Sequence, residues 1–190
     1  MRALHLDESH PRSDDLIAML VVEGVSLFVD KEVLCTYTQF FHDLFTRPTF
    51  AGCNDSSEPD TDGVVVPGVK YDEFTHFLSF FFPGDRSVTR DSVAYLMALA
   101  ERFDCPLVMN KCAQFLIATS DVSVVKKLML ADEYRLPDIE EHCLAEIDTF
   151  DVFIEKVLLD PATKTVNDRL KAVFVEKAAT LLHHFDPISY

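Results

Sequence analysis

The chain has 190 residues, 48% of them apolar, and it includes 16 phenylalanines. A chain of this length and composition can bury a core without a disulfide or a metal, which excludes a disordered protein. Lys and Arg number 17 against 32 Asp and Glu, so the formal net charge is −15. Because such a surface repels phosphate backbones and anionic lipid, we expect no nucleic acid and no membrane among the partners.

We expect neither a membrane span nor a secretory signal. The longest apolar run, Val93–Ala100, is far below the length of about 20 residues that a spanning helix needs. Residues 1–13 are polar, lack an apolar centre and are expected to form a flexible leader. The cysteines form no CxxC pair, which is typical of reduced thiols in a cytosolic or nuclear protein. They are Cys35, Cys53, Cys105, Cys112 and Cys143.

Short runs rich in β-branched residues predict three strands. Leu16–Val22 and Val25–Val29 are separated by Glu23-Gly24. Because glycine supplies the positive φ that a two-residue turn needs, these two runs predict a hairpin. A third strand is predicted at Val64–Val66 and ends at Pro67-Gly68. We expect the three strands to form one small sheet.

Two helices are predicted directly after the hairpin. Asp30 can cap a helix over Lys31–Thr36, and Thr38 can cap another over Gln39–Thr46, since both side chains can accept a hydrogen bond from a free N–H of the first turn.

Residues 51–63 predict an exposed acidic loop, since they hold four carboxylates and no basic group. The ligand spacing of a calcium loop is missing, so no metal site is expected.

An aromatic stripe follows the third strand. It predicts an amphipathic helix that ends at Pro83-Gly84, and its aromatic rings are expected to lie in the core. Its members, at i, i+3, i+4 and i+7, are Phe74, Phe77, Leu78 and Phe81.

The second half of the chain contains an internal repeat with an offset of 31 residues. LAERFDCPLVMNKC at 99–112 matches LADEYRLPDIEEHC at 130–143. Because Pro106 and Pro137 suit the first turn of a helix, each copy predicts two helices joined by a short turn. The matched Cys112 and Cys143 are expected to be buried as small residues. A last helix is predicted after Pro161, with Asn167 on its outer face. Glu140-Glu141-His142 is expected to be solvated, on the polar face of an earlier helix.

The sequence lacks the motifs that would anchor an enzyme reaction. GxxxxGK[ST], GxGxxG, HExxH and GxSxG are absent from it. Cys35 with His42 leaves thiol catalysis open as an alternative, because a cysteine nucleophile needs a base that is near in space. A packed thiol and a solvent-facing imidazole are the favoured interpretation. We therefore expect no catalytic residue, no cofactor and no metal.

Three segments, in order, resemble the BTB/POZ domain family. They are LVVEGVSLFVDKEVLCTYTQFFHDLF at Leu20–Phe45, VVVPGVKYDEFTHFLSFFFPGD at Val64–Asp85 and SVAYLMALAERFDCPLVMNKCAQFL at Ser92–Leu116. The resemblance covers residues 14–118. It implies an α+β, mostly helical fold with a small three-stranded sheet flanked by helices, followed by helical hairpins. It also implies a protein-binding function rather than an enzyme.

Residues 119–190 are similar to the helical extension of BTB adaptors of cullin-RING ubiquitin ligases. SVVKKLMLADEYRLPDIEEHCLAEI resembles the helical pair called the 3-box, and the helices beyond residue 150 are expected to continue as a short BACK-like region. The resemblance therefore implies an adaptor that links a cullin scaffold to a target protein. The same resemblance implies a homodimer or heterodimer with BTB proteins, through the N-terminal strand region and first helix around Leu34 and Tyr37.

Several positions differ from the family pattern. Asp30 and Thr38 stand where the family usually has His and Ser. In the family a hydrophobic residue followed by x-Glu contacts the cullin, in the loop after the second helix. Phe50 is the candidate for this contact, but Gly52 occupies the glutamate position.

Two alternatives remain open at the level of the sequence. One is a BTB scaffold or dimerisation module without a ligase role. The other is a Skp-like linker protein, a class that shares the fold. Asp30 and the acidic loop resemble features of that class. The internal repeat and the 3-box likeness favour the BTB interpretation.

Overall fold

The computed structural model describes residues 16–46, 63–82 and 87–183. These residues form two compact units. The first contains the described residues up to Phe82 together with Ala98–Val108, and the second contains Ser87–Met97 and the described residues from Met109 onward. The expected α+β, mostly helical fold is confirmed, and no strand occurs between residues 92 and 147.

The predicted hairpin and third strand are present. Strands β1 (Ile17–Val22) and β2 (Val25–Asp30) pair antiparallel, and β3 (Val64–Val65) pairs parallel with β1, so the strand order is β2-β1-β3. Both turn residues have positive φ, 50° at Glu23 and 78° at Gly24. Positive φ at both positions gives the turn the twist of the flanking strands, which explains why the two-residue connection closes the hairpin.

The two faces of the sheet differ in burial. Ala18, Leu20 and Val22 point to one face and are buried in the core. On the other face, Phe28 and Val65 are each 67% exposed. Because successive side chains of a strand alternate between faces, the pairing of Met19 with Phe28 and of Val21 with Val65 places these apolar residues together on the outer face.

Helices α1 (Lys31–Tyr37) and α2 (Gln39–Thr46) begin in different ways. The Asp30 carboxylate accepts hydrogen bonds from the Glu32 and Val33 N–H groups at 3.0 and 3.3 Å, which confirms the predicted cap of α1. The predicted Thr38 cap of α2 is wrong, because its hydroxyl donates to the Leu34 carbonyl of α1 at 2.7 Å.

The N-terminus of α2 is satisfied by residues that are distant in sequence. The Gln39 N–H donates to the Asp104 carbonyl at 3.1 Å, and the Phe40 N–H donates to the Phe103 carbonyl at 3.3 Å. The first turn of a helix has N–H groups without intrahelical partners. A tertiary contact therefore replaces the local cap that the sequence predicted.

Helix α3 (Tyr71–Leu78) is shorter than predicted. It ends three residues before Phe81, because the Phe80 and Phe81 N–H groups donate to carbonyls only three residues earlier, in tight turns. Phe81 is nevertheless buried. The predicted stop at Pro83-Gly84 lies outside the described residues. The α3 N-terminus also has a distant partner, since the Tyr71 N–H donates to the Glu23 carboxylate at 2.9 Å.

The core of the first unit is aromatic and centres on Phe103. This ring is fully buried, and four other phenylalanine rings lie with their centroids 5.3 to 5.6 Å from its own. Two of these rings come from α2 and two from α3. They are Phe40, Phe41, Phe74 and Phe77. Tilted and offset contacts at these separations are favourable aromatic geometry.

The 31-residue repeat is a repeat of backbone structure. Helices α4 (Val93–Arg102) and α5 (Pro106–Ala118) are followed by α6 (Val124–Glu133) and α7 (Pro137–Ala145). Each α4–α5 and α6–α7 turn contains a left-handed residue, Asp104 at φ 48° and Arg135 at φ 55°.

The hydrogen bonds of the two turns also match. The Cys105 N–H donates to the Ala100 carbonyl, and the Leu136 N–H donates to the Ala131 carbonyl, both at 2.8 Å. This pattern is the Schellman end of a helix, in which glycine is the usual left-handed residue. The repeated Cys112 and Cys143 are both fully buried, as predicted.

The C-terminal segment contains α8 (Phe150–Phe153), a π-helical turn (Ile154–Leu158), a 3-10 turn (Pro161–Thr165) and α9 (Asp168–His183). Asn167 is exposed, which confirms its predicted place on the outer face. Its amide nitrogen donates to the Asp132 carboxylate, and its amide oxygen accepts from the Leu170 N–H at 2.9 Å. Asn167 therefore connects the start of α9 to α6.

Replacing Phe103 by alanine tests the aromatic core. We expect Phe103→Ala to lower the free energy of unfolding by about 3–5 kcal/mol, because it removes a buried ring and leaves a cavity. Phe28→Thr is the control, since Phe28 is exposed and threonine suits a strand; it should change stability by less than about 0.5 kcal/mol. Urea unfolding of both variants measures the difference, and similar losses would contradict the assigned core.

Replacing Arg135 by glycine tests the left-handed turn. An L-residue in this conformation costs about 1–2 kcal/mol, and the added freedom of glycine in the unfolded chain returns about 0.4–1 kcal/mol. We therefore expect Arg135→Gly to raise the free energy of unfolding by about 0.5–1 kcal/mol. The control Glu141→Gly, at an exposed position within α7, should lower it by about 1 kcal/mol. Loss of stability in both variants would contradict the turn geometry.

Candidate interaction surfaces

The two self-association candidates on α1 have different environments. Leu34 is fully buried, so its side chain supports α1 from the core and offers no area to a partner. Tyr37 is 36% exposed, and its ring stacks on Phe81 with the centroids 5.1 Å apart and the planes 5° from parallel. Of the two, Tyr37 alone presents a surface, held in place by the ring beneath it.

Further apolar side chains of the first unit are exposed. Phe28 and Val65 lie on the outer face of the sheet, and Phe40 is 43% exposed at the start of α2. Val25 of β2 is also exposed. Exposed apolar groups that cluster on one element are typical of protein-binding surfaces, whereas single ones are ordinary. The sequence analysis assigned the strands but did not identify these residues as a surface.

The cullin-contact candidate Phe50 lies outside the described residues, as does most of the acidic loop at 51–63. Helix α2, which precedes this region, is described to Thr46. Its exposed side carries a local polar network, in which the Gln39 amide donates to the Asp43 carboxylate at 2.7 Å. The role of Phe50 therefore stays a prediction.

The Cys35 and His42 side chains make separate contacts. The Cys35 thiol donates to the Phe41 carbonyl at 3.9 Å, while His42 Nδ1 lies 3.4 Å from the Asp43 carboxylate. Partial burial raises the pKa of the Cys35 thiol above its usual value, mainly through desolvation. A raised pKa reduces the thiolate, which is the nucleophilic form, so this environment does not favour thiol catalysis. Within the described ranges, no group of three or more metal-binding side chains occurs.

An arginine joins three helices of the second unit. The Arg169 guanidinium of α9 donates to the Asp132 carboxylate of α6 and to the Glu140 carboxylate of α7, the latter at 2.8 Å. The hydrogen bond that Arg169 donates to Glu140 is the main cause that raises the pKa of Arg169 above its usual value. The interpretation of Glu140 as a solvated residue is therefore wrong, because the tertiary fold brings α9 against it.

A second group of charges surrounds Glu146. One carboxylate oxygen lies 3.8 Å from Lys127 Nζ and 3.3 Å from His142 Nε2, and the other lies 3.4 Å from Lys156 Nζ. Lys127 is only 2% exposed. Burial raises the pKa of the neighbouring Cys143 to about 11, so this thiol remains protonated at neutral pH.

A groove of about 1350 Å³ opens beside these charges within the second unit. It is lined by Lys127, Glu146, Lys156, Ile117, Met129 and Leu159, among others. Ile117 and Leu159 are 39% and 72% exposed. The groove thus combines accessible apolar area with a buried ammonium group.

The sequence analysis missed Lys127, although a signal was present. Lys127 lies 31 residues after Leu96, so the repeat places it at a position that is fully buried in the first copy. On α6 it falls on the stripe of buried residues that includes Val124, Leu128 and Ala131. A lysine within a buried stripe is uncommon unless it is paired, and here Glu146 is its ion-pair partner.

Across the described ranges, no helix is both long and apolar enough to cross a bilayer.

The comparison with protein families identifies the chain. The BTB/POZ domain model matches residues 12–120, which is more than half of the chain. The protein belongs to the BTB/POZ family. The three-stranded sheet flanked by helices agrees with this assignment.

Several known proteins are similar to this chain. BTB and MATH domain-containing protein 38 of Caenorhabditis elegans is 29% identical over 165 residues, which are 86% of this chain and 40% of that protein. BTB and MATH domain-containing protein 36 of the same organism is 30% identical over 131 residues, 69% of this chain and 39% of that protein. Kelch repeat and BTB domain-containing protein 8 of Danio rerio is 25% identical over 126 residues, which are 66% of this chain and 20% of that protein. The chain therefore spans less than half the length of these relatives.

Proposed function

We propose that this protein is a self-associating adaptor that links a cullin-RING ubiquitin ligase to a target protein. A BTB/POZ domain is a protein–protein interaction module, so membership of this family supports protein binding in general. The observation that supports the link to a cullin-RING ligase is the helical pair α6–α7 directly after the matched domain. This pair stands where the cullin adaptors that the sequence resembles carry their 3-box.

Self-association is proposed for the first unit. Its exposed apolar side chains include Tyr37, which the Phe81 ring supports, and Phe40 nearby in sequence. Burying aromatic area is a large favourable term in association. The proposed partner is a second copy of the chain or another BTB protein.

The cullin contact is proposed for the segment after α2, with Phe50 as the hydrophobic anchor. A buried aromatic anchor contributes about 2 kcal/mol or more to binding. Gly52 stands where the resembled adaptors have glutamate, so the hydrogen bond of that side chain is missing. We expect weaker cullin binding than in an adaptor with the full motif. The same observation favours the second candidate function, a BTB scaffold without a ligase role.

Sedimentation velocity tests self-association. We expect the chain to be a dimer at tens of micromolar, and Tyr37→Asp to weaken the dimer at least tenfold, because it replaces a partly exposed ring by a charge that would face its own copy. Asn110→Asp is the control, since it adds the same charge at an exposed position of the second unit and should leave the dimer intact. A native chain that sediments as a monomer at these concentrations would contradict self-association.

A pulldown with purified cullin scaffold tests the ligase link. We expect Phe50→Ala to weaken cullin binding about thirtyfold, which corresponds to about 2 kcal/mol, without a change in melting temperature. Phe28→Ala, which shortens another phenylalanine that is exposed in the first unit, is the control and should bind as the native chain does. Absence of cullin binding by the native chain would favour the scaffold. A Phe50→Ala variant that melts several degrees lower but binds normally would make Phe50 a core residue.

A further inference from the structure

The last helix, α9, carries apolar side chains on its exposed side. Val175 and Leu182 are 70% and 53% exposed, and Ala172 and Ala179 are exposed as well. At about 100° of rotation per residue, these four side chains lie opposite the face that packs against α6 and α8. The buried residues of that packed face are Leu170, Phe174 and Leu181. Helix α9 therefore has two apolar faces, and its own unit covers one of them.

The exposed apolar residues have the spacing of a coiled-coil seam. Counted from Ala172, the next members follow after three, seven and ten residues. These intervals are successive a, d, a and d positions of a heptad repeat, the spacing at which two helices pack side by side. An exposed apolar stripe with polar residues on its flanks is typical of a surface that another chain covers.

Two opposite charges flank this seam. Lys171 directly precedes the first a position and is therefore a g residue, and Glu176 directly follows the first d position and is an e residue. In two parallel helices, a g residue lies beside the e residue that is five positions further along the other helix. Lys171 and Glu176 are five residues apart. A second copy of the same helix would therefore place each charge beside its opposite, on both sides of the seam.

Both charges are accessible to a second copy. The Lys171 ammonium lies 2.8 Å from the Asp168 carboxylate, but both side chains are exposed. An exposed ion pair of this kind contributes little free energy, so Lys171 can exchange its partner. Glu176 is exposed as well. In antiparallel helices, g residues face g residues and e residues face e residues, so the attraction between Lys171 and Glu176 would be lost. The charges therefore favour a parallel arrangement.

We propose that α9 pairs with α9 of a second copy of this chain, in a parallel contact with two-fold symmetry. The apolar seam is buried between the two helices, and Lys171 of each copy pairs with Glu176 of the other. This surface lies in the second unit and is separate from the self-association surface proposed for the first unit. Because the seam spans fewer than two heptads, the contact is weak by itself, and a covalent crosslink is the suitable way to detect it.

A cysteine at position 175 tests the orientation of the pairing. In parallel helices this position lies opposite itself, within the distance that a disulfide can span. We expect oxidised glutathione to join two Val175→Cys chains about fivefold faster, or more, than two native chains, which give the background of the other thiols. Thr180→Cys is the control, since residue 180 is exposed on α9 but lies outside the seam. Crosslinking of Val175→Cys no faster than that of Thr180→Cys would overturn the proposal.

Exchange of the flanking charges tests the register. Within the Val175→Cys chain, we expect Lys171→Glu and Glu176→Lys each to slow the crosslink about threefold or more, because each change creates two like-charge pairs across the seam. A mixture of the two variants brings opposite charges together again, so crosslinked heterodimers should form about as fast as the Val175→Cys homodimer. Recovery in the mixture also shows that both variants are folded. Slow crosslinking in the mixture would overturn the proposed register.

A charge change elsewhere in the second unit is the control for net charge. Glu141→Lys alters the charge by the same amount as Glu176→Lys, at an exposed position of α7. We expect it to leave the Val175→Cys crosslinking rate unchanged within about 1.5-fold at about 0.15 M salt, where repulsion between the two acidic chains is largely screened. A loss as large as that caused by Glu176→Lys would contradict the pairing of Lys171 with Glu176.

Discussion

Phe103 connects the aromatic core of the first unit to the backbone of α2. Its ring contacts phenylalanines from both α2 and α3, and its carbonyl accepts the hydrogen bond of the Phe40 N–H. The next residue, Asp104, holds a left-handed conformation and accepts from Gln39. One turn therefore satisfies the start of α2 and supplies the central ring of the core. Side-chain packing and backbone hydrogen bonding depend on the same two residues, which is why α2 begins where it does.

The turn that follows α6 has the same backbone conformation as the turn that follows α4, but the two repeat copies differ at one core position. Arg135 repeats the left-handed conformation of Asp104, and Ile147 and Leu116, 31 residues apart, are both fully buried. The copies differ at Leu96 and Lys127, where a buried apolar residue is matched by a buried ammonium. A repeated hairpin can keep its packing and change one core position, and that single change introduces positive charge into a strongly acidic chain.

The interaction surfaces of a BTB/POZ protein with this sequence are chemically distinct. The first unit exposes aromatic and aliphatic side chains on its sheet, at the end of α1 and at the start of α2, where burial of apolar area would drive association. The second unit offers a groove with mixed apolar and charged walls.

The sequence by itself determined the hairpin, the third strand, the helical repeat and the family, because each depends on residues within a few positions or on a periodic pattern. The Asp30 cap of α1 is also a local feature, because its hydrogen-bond partner lies two residues further along the chain. The tertiary structure decided what caps α2 and α3, which carboxylate accepts from Asn167 and which carboxylate pairs with Lys127. These outcomes depend on groups 19 to more than 60 residues apart in the chain. Local propensity contains no information about such pairs, since a polar group takes whichever partner the packed core brings within hydrogen-bond distance.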